Sequence, residues 1–395
     1  MTAGQRVLFV VPPLLGHLQP ARAIAGELQA RGHEIAWVGS LATLRPVLGE
    51  QATIYRTGSR IHRPQADRGL ASIRSLWAEF IVSYTRFIRP AVARAVADFG
   101  PDVIVTDQHA PAGAIVATAE QLPWASVACS SIELLQPFRS LPGVRDWLAG
   151  QRAALATAAG LDADFDFRFS EYATLSLTSP ALTGPLPPAA GPVYQVGPCL
   201  GPRWNDPDFD WDWLDGRPAV LVSVGTLAAG LAGDFYQRVL AALGGRTDLQ
   251  VIVVADPETL PEPPANVLVR ARVPMLRLMP RLSAVISHGG LNTVSEALSF
   301  GVPLVLAPIR HDQPLNAGMV CAAGAGLRVN FVRASPEQLR AAVLTVLTDA
   351  RYRTAAEVLA ADFRAAGGCR AAAELVEGLT VMAQRNQALV ADRPA

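Results

Sequence analysis

The stretch Ser283 to Asn316 constrains the fold more than any other part of the chain. It passes in order from a short apolar run to glycines, a helix start, a second apolar run and a polar loop. Ala284 to Ser287 ends at His288-Gly289-Gly290, and Asn292, Thr293 and Glu296 follow where a helix should begin. That order reads as strand, turn, helix, strand. A helix opened by glycines leaves its first backbone amides facing solvent, a site with about half a positive charge that attracts phosphate, and two glycines let an anion approach the main chain. Glu296 lies one helical turn beyond Asn292, so both can address one side of a phosphate-bearing ligand. Taken singly, His288 could be a turn histidine and Glu296 an ordinary helix carboxylate; their joint spacing carries the functional reading.

The N-terminal residues repeat this logic. Val7 to Val11 reads as a strand, Pro12 to His17 as its loop, and Pro20 lies near the start of a helix whose Ile24 and Leu28 share one face before Gly32 ends it. Ile35 to Val38 is the next strand, and such alternation favours a parallel sheet with helices on both sides. His17 falls at the carboxyl edge of the first strand, where open α/β sheets build their sites. An imidazole titrates near neutrality, and a neighbouring helix N-terminus should favour the neutral form that a base requires. Asp107 ends the strand-like run from Val103, where a carboxylate can fix an imidazole's tautomer or simply cap the following helix; His109 is a rival base. The first loop lacks GxGxxG, which removes the main support for a nicotinamide-dependent dehydrogenase.

Composition narrows the function classes. Basic and acidic residues number 34 each, so no global field recruits nucleic acid or an acidic membrane surface. Cys129, Cys199, Cys321 and Cys369 are far apart and form no CxxC pair, which reads as buried structural thiols in a reducing cytoplasm. Val7 to Leu15 resembles the apolar part of a signal peptide, but one arginine precedes it and Gly16-His17 follows, which better suits a buried strand and its loop. No apolar run reaches membrane-spanning length. Alternating acids at Asp162, Asp164 and Asp166, and from Asp206 to Asp212, read as solvated loop carboxylates, and no His/Cys cluster has zinc spacing. No metal is expected.

His288, Gly290, Asn292, Thr293, Glu296 and the pair Asp312-Gln313 resemble the donor signature of family 1 nucleotide-sugar-dependent glycosyltransferases. Gly16-His17 and Pro20 resemble that family's GHxxP segment. The resemblance implies an α/β chain of the GT-B type, two Rossmann-like domains with parallel sheets facing across a cleft. It implies an acceptor domain over 1–200, a linker over 201–217, a nucleotide-sugar domain over 218–370, and a helix packing back on the first domain over 371–395. It further implies His17 as general base and Asp107 as its orienting carboxylate. Gly225-Thr226, His288, Gly289-Gly290, Asn292 and Thr293 then fall on the diphosphate, Glu296 on the ribose diol, and Asp312 and Gln313 on the transferred sugar. Arg272 and Val273 stand where many members have a base-stacking Trp segment, so the choice between UDP and dTDP stays open. Trp77, Phe80, Tyr84 and Phe138 are candidate acceptor contacts, although a stripe at helical spacing (77, 80, 84, 87) is more often core. The implied activity is inverting, metal-free and cofactor-free transfer from a nucleotide sugar to a hydroxyl of a small apolar natural product: a polyketide, macrolide, flavonoid or carotenoid alcohol. A cytoplasmic monomer or homodimer fits. A sugar-nucleotide epimerase or hydrolase, and a non-catalytic sugar-nucleotide-binding protein, are the alternatives.

Overall fold

A computed structural model of the chain describes residues 4–58, 67–203, 206–225, 232–260 and 262–391. Two parallel sheets organise it. The first is built from β1 (Arg6–Val10), β2 (Glu34–Ser40), β3 (Thr53–Thr57), β4 (Val103–Asp107), β5 (Trp124–Ala128), β6 (Ala173–Ser176) and β7 (Val193–Gln195), in the order β3-β2-β1-β4-β5-β6-β7. The second is built from β8 (Ala219–Ser223), β9 (Gln250–Val254), β10 (Val267–Arg270), β11 (Ala284–Ser287), β12 (Leu304–Leu306) and β13 (Gly326–Arg328), in the order β10-β9-β8-β11-β12-β13. This is the two-domain GT-B architecture that the sequence led us to expect. In each sheet the strand order reverses beside the first strand of that half, between β1 and β4 and between β8 and β11. Open α/β sheets place ligands outside the carboxyl ends of such a strand pair.

The apolar strand runs are explained by burial on both faces. In β1, Val7 and Phe9 pack with Ile24 and Leu28 of helix α1 (Leu15–Ala30), while Leu8 and Val10 pack with Ile88 and Val92 on the opposite side. In β8, Val220 and Val222 face one core and Ala219 and Leu221 the other.

The sequence reads as helix from Leu70 to Phe99. Residues 69–99 are helical throughout, but the α-helix Gly69–Arg74 passes into a π-helical segment, Ser75–Ile81, before α geometry resumes over Val82–Phe99. Trp77, Phe80 and Tyr84, the candidate acceptor contacts, are 1–4% exposed in the core of the first domain, and the Tyr84 hydroxyl donates to the Val11 carbonyl at 3.1 Å. Phe138 is half-buried against the same core. From Tyr84 the buried positions step to Ile88, Ala91 and Ala95, the usual helical face, which leaves Phe87 on the exposed flank. The aromatic spacing therefore marks core at three of its four positions.

The chain passes between the halves twice at one place. The Gly368 amide, at the start of the C-terminal helix Gly368–Ala391, donates to the Val196 carbonyl at 2.7 Å, and Gly197 lies so close to Phe363 that a Cβ there would sit 2.9 Å from its carbonyl oxygen. Cys199 and Cys369, remote in sequence, bring their free thiols close enough here to perturb one another, and the Cys369 thiol donates to the Leu200 carbonyl at 3.6 Å. The last helix then inserts Ala372, Ala373, Val376 and Leu379 into the core of the first domain. Its Glu377 bonds Arg31 at 3.0 Å and His33 at 2.8 Å, at the end of α1. Ser335 caps the helix Pro336–Thr348 through a capping box with Gln338. No helix among the described residues is long and apolar enough to cross a membrane.

Candidate active site

His17 does not lie in a loop, as its neighbours suggested. Helix α1 begins at Leu15, which puts His17 in the first helical turn and Pro20 inside the helix. The position of Pro20 has a local consequence. A proline has no amide hydrogen to give the carbonyl four residues back, so the Gly16 carbonyl is left unclaimed by the helix. It accepts instead from the Asn292 side-chain amide, which reaches it from the second domain.

Asp107 ends β4 beside β1, so both residues stand at the switch point of the first sheet. The His17 Nδ1 and Asp107 Oδ2 are 2.8 Å apart, and Asp107 Oδ1 accepts the His109 backbone amide at 2.7 Å. That carboxylate is 2% exposed. Burial acts against the imidazolium, but the charge and hydrogen bond of Asp107, with Asp312 adding to them, hold the His17 pKa above its ordinary 6.5. The expected depression by a helix N-terminus is thus overridden by the adjacent carboxylate. Burial likewise opposes the Asp107 carboxylate, yet His17 and His109 keep its pKa below the usual value. Engagement of Nδ1 leaves Nε2 of His17 as the nitrogen able to take a proton.

His109, the rival base, packs against His17 with ring centroids 4.7 Å apart. Its two ring nitrogens are buried with no hydrogen-bond partner among the described residues, and burial, together with His17, pushes its pKa down to about 3. A group so reluctant to hold a proton is a poor base at neutral pH. Ligand atoms of His17, Asp107 and His109 lie within 4.8 Å of one another. A tetrahedral zinc with bonds of about 2.0–2.1 Å would space its donors about 3.3 Å apart, whereas the 2.8 Å His17–Asp107 separation is that of a hydrogen bond.

The second sheet meets this pair from across the cleft. Asp312 is half-buried, and its desolvation pushes its carboxyl pKa up while its charge reaches His17; its Oδ2 accepts from Ser130 Oγ at 3.3 Å. One turn further on, Asn316 accepts from Ser131 Oγ at 2.6 Å and donates to the Gly289 carbonyl at 2.9 Å. Ser130, Ser131 and Asn316 carried no motif, and only Asn316, closing the signature stretch, had any signal. Gln313 uses its Oε1 to accept the Ile309 and Arg310 amides at 2.9 Å each, which shapes the loop before Asp312.

The switch point of the second sheet is made of space. His288 follows β11 and lies between two glycines: a Cβ on Gly225 or on Gly290 would stand 2.7 Å from its ring. Gly225 and Gly289 both have positive φ, 75° and 85°, a conformation that glycine adopts without the cost of a Cβ. Burial pushes the His288 pKa down to about 4, with Arg310 acting in the same direction and the Ser223 backbone against it. Its ring is therefore neutral at pH 7. The helix Leu291–Ser299 starts at Gly290 with no side-chain cap, so its first-turn amides remain available. Asn292 and Thr293 are half-buried on that turn and Glu296 is buried one turn along, paired with Arg203. Thr226 lies outside the described residues. Arg272 is exposed, and Val273 is buried in the core beneath it.

Two Rossmann-like domains facing each other, each presenting the switch point of its sheet, define a GT-B enzyme. The family described as Erythromycin biosynthesis protein CIII-like, C-terminal domain, matches residues 237–380. 4'-Demethylrebeccamycin synthase of Lentzea aerocolonigenes is 30% identical over an alignment spanning 95% of this chain and 100% of the relative. NDP-glycosyltransferase YjiC of Bacillus subtilis (strain 168) is 28% identical over 92% of this chain and 94% of its own. Spinosyn rhamnosyltransferase SpnG complexed with thymidine diphosphate has the same fold, with a TM-score of 0.75 at 22% identity, covering 94% of this chain and 100% of that one. The chain belongs to the family 1 nucleotide-sugar-dependent glycosyltransferases, and it is a glycosyltransferase.

Proposed function

We propose that the protein is an inverting glycosyltransferase that moves a sugar from a UDP- or dTDP-sugar to a hydroxyl of a small apolar natural product. The observation that carries this reading is the His17–Asp107 pair, at 2.8 Å, with its carboxylate buried and its imidazole partly exposed, lying within the field of Asp312 from the other domain. His17 Nε2 takes the acceptor hydroxyl proton as that oxygen attacks the anomeric carbon. The bond from this carbon to the diphosphate oxygen breaks on the opposite face, and the nucleoside diphosphate leaves with the electron pair. Asp107 holds the tautomer and offsets the charge on the imidazolium. Neutral His288, the Gly289-Gly290 turn and the free amides of the helix Leu291–Ser299 receive the charge on the leaving diphosphate, so no step is routed through a metal. Asn292 and Thr293 add hydrogen bonds to the diphosphate, Glu296 holds the ribose, and Asp312 holds the transferred sugar.

The names of the relatives support the substrate classes. One is a 4'-demethylrebeccamycin synthase and one structural neighbour is a spinosyn rhamnosyltransferase bound to thymidine diphosphate, which favours an apolar natural-product acceptor and a nucleoside diphosphate leaving group. The test is nucleoside diphosphate release from UDP- and dTDP-sugars with and without a broad aglycone panel. Release that rises with a subset of aglycones, with a glycoside of inverted anomeric configuration, is the expected result. Release indifferent to every aglycone would overturn the transferase reading in favour of hydrolysis.

A further inference from the structure

The segment leaving the first domain is fixed on α1 before it crosses. Gly201 packs against Ala23, with a Cβ there only 3.0 Å from the alanine methyl, and the Arg22 guanidinium donates to the Pro202 carbonyl. The next residue, Arg203, reaches the second domain and donates to Oε1 of Glu296. Glu296 is 5% exposed, so this ion pair occupies one of the two oxygens of a carboxylate that water scarcely reaches. The pair borders an open pocket whose walls include Gln19, Arg203, Leu276, Asn292, Ser295 and Glu296. Beside Glu296 the Ser295 hydroxyl is buried with no partner among the described residues, a polar group waiting for one.

We propose that Arg203 selects the sugar of the donor nucleotide, favouring 2'-deoxyribose over ribose. This rests on the reading of Glu296 as the group that binds the nucleotide sugar. A ribose presents two adjacent hydroxyls, which reach for both carboxylate oxygens and compete with Arg203 for the space at Oε1. A 2'-deoxyribose presents the 3'-hydroxyl alone, takes the second oxygen, and leaves the ion pair in place. Displacement of Arg203 breaks a charge-assisted hydrogen bond to a buried carboxylate, whereas coexistence keeps it. Arg203 precedes the matched segment 237–380, so its contact with Glu296 joins the signature helix to a part of the chain that the family match does not cover.

The experiment compares dissociation constants of UDP, dUDP and dTDP, by calorimetry on the full chain and on three variants. UDP and dUDP share a base, so their ratio isolates the 2'-hydroxyl. Wild type should bind dUDP about tenfold tighter than UDP. Arg203→Ala should erase that preference mainly by tightening UDP, and Arg203→Lys should restore part of it. A wild-type preference for UDP, or a dUDP preference that survives Arg203→Ala, would overturn the proposal. Glu296→Ala separates the two layers: weaker binding of both nucleotides supports the underlying reading, while unchanged binding of both removes Glu296 from the pocket and the proposal with it.

Discussion

The two halves of the molecule put the same topological position to opposite uses. Between β1 and β4 the site is made from side chains: a buried carboxylate, an imidazole raised in pKa, and a second imidazole packed at 4.7 Å. Between β8 and β11 it is made from the absence of side chains, with Gly225 and Gly290 clearing the space around His288 and an uncapped helix exposing its amides. Charge perturbation follows the same division. His17 is held above its ordinary pKa by Asp107, whereas burial drives His288 down to about 4. On the proposed mechanism His17, as proton acceptor, needs a partner for the charge it gains, while His288 can donate to a phosphate in its neutral form.

This contrast can be broken first at His17. His17→Ala should lower turnover by about a hundredfold or more while leaving nucleoside diphosphate affinity near wild type, measured as kcat against the Kd of the nucleotide. Equal losses in both would merge the two sites into one. Gly290→Ala should do the reverse. The new methyl meets the His288 ring, and overpacking of about 1–3 kcal/mol should raise the donor KM about tenfold or more with a smaller change in kcat. An unaltered donor KM would show that the space around His288 is not used.

The pH profile sharpens the first half. Protonated His17 cannot act as base, so activity should rise with pH through a midpoint above 6.5, since Asp107 and Asp312 raise that pKa. Asp107→Asn removes the larger of these charges and leaves burial to act, so the acid limb should move to lower pH even as turnover falls. A limb that stays in place would assign the titration to another group. The smallest effect belongs to Pro20→Ala. It gives the Gly16 carbonyl an intrahelical partner to compete with Asn292, and should raise the donor KM a few-fold, of the order of one hydrogen bond or about 1 kcal/mol, with the fold intact by circular dichroism.

Much of this was legible in the chain, for identifiable reasons. The strands are short apolar runs buried on both faces, ended by Pro12-Pro13 after β1, by a polar residue at β4 and by glycines after β8 and β11, so these strands and the residues that follow them could be read from pattern alone. What escaped depends on contacts between distant segments. Nothing in residues 75–81 announces a π-helical turn, in which Trp77 and Phe80 lie in the core of the first domain. His17 looked like a loop residue because Pro20 resembled a helix start. The structure instead tolerates the proline inside α1, where the lost helical bond is replaced from the other domain. Ser130 and Ser131 meet Asp312 and Asn316 over more than 180 residues of sequence, and Arg203 meets Glu296 across 93. Cys199 and Cys369 were taken as unrelated thiols because only the return of the last helix makes them neighbours.

That return has a mechanical meaning. Two covalent passages lie side by side, with Val196, Gly197 and Pro198 against Phe363 and Gly368, which is the geometry of a hinge pin. Rotation about a pin displaces each point in proportion to its distance from it. The pocket beside Arg203 and Glu296 adjoins the crossing, because Pro198, Cys199 and Leu200 form part of its wall. Any rotation of one domain on the other about this crossing would therefore move the Arg203–Glu296 pocket least and the edge of the cleft farthest from it most.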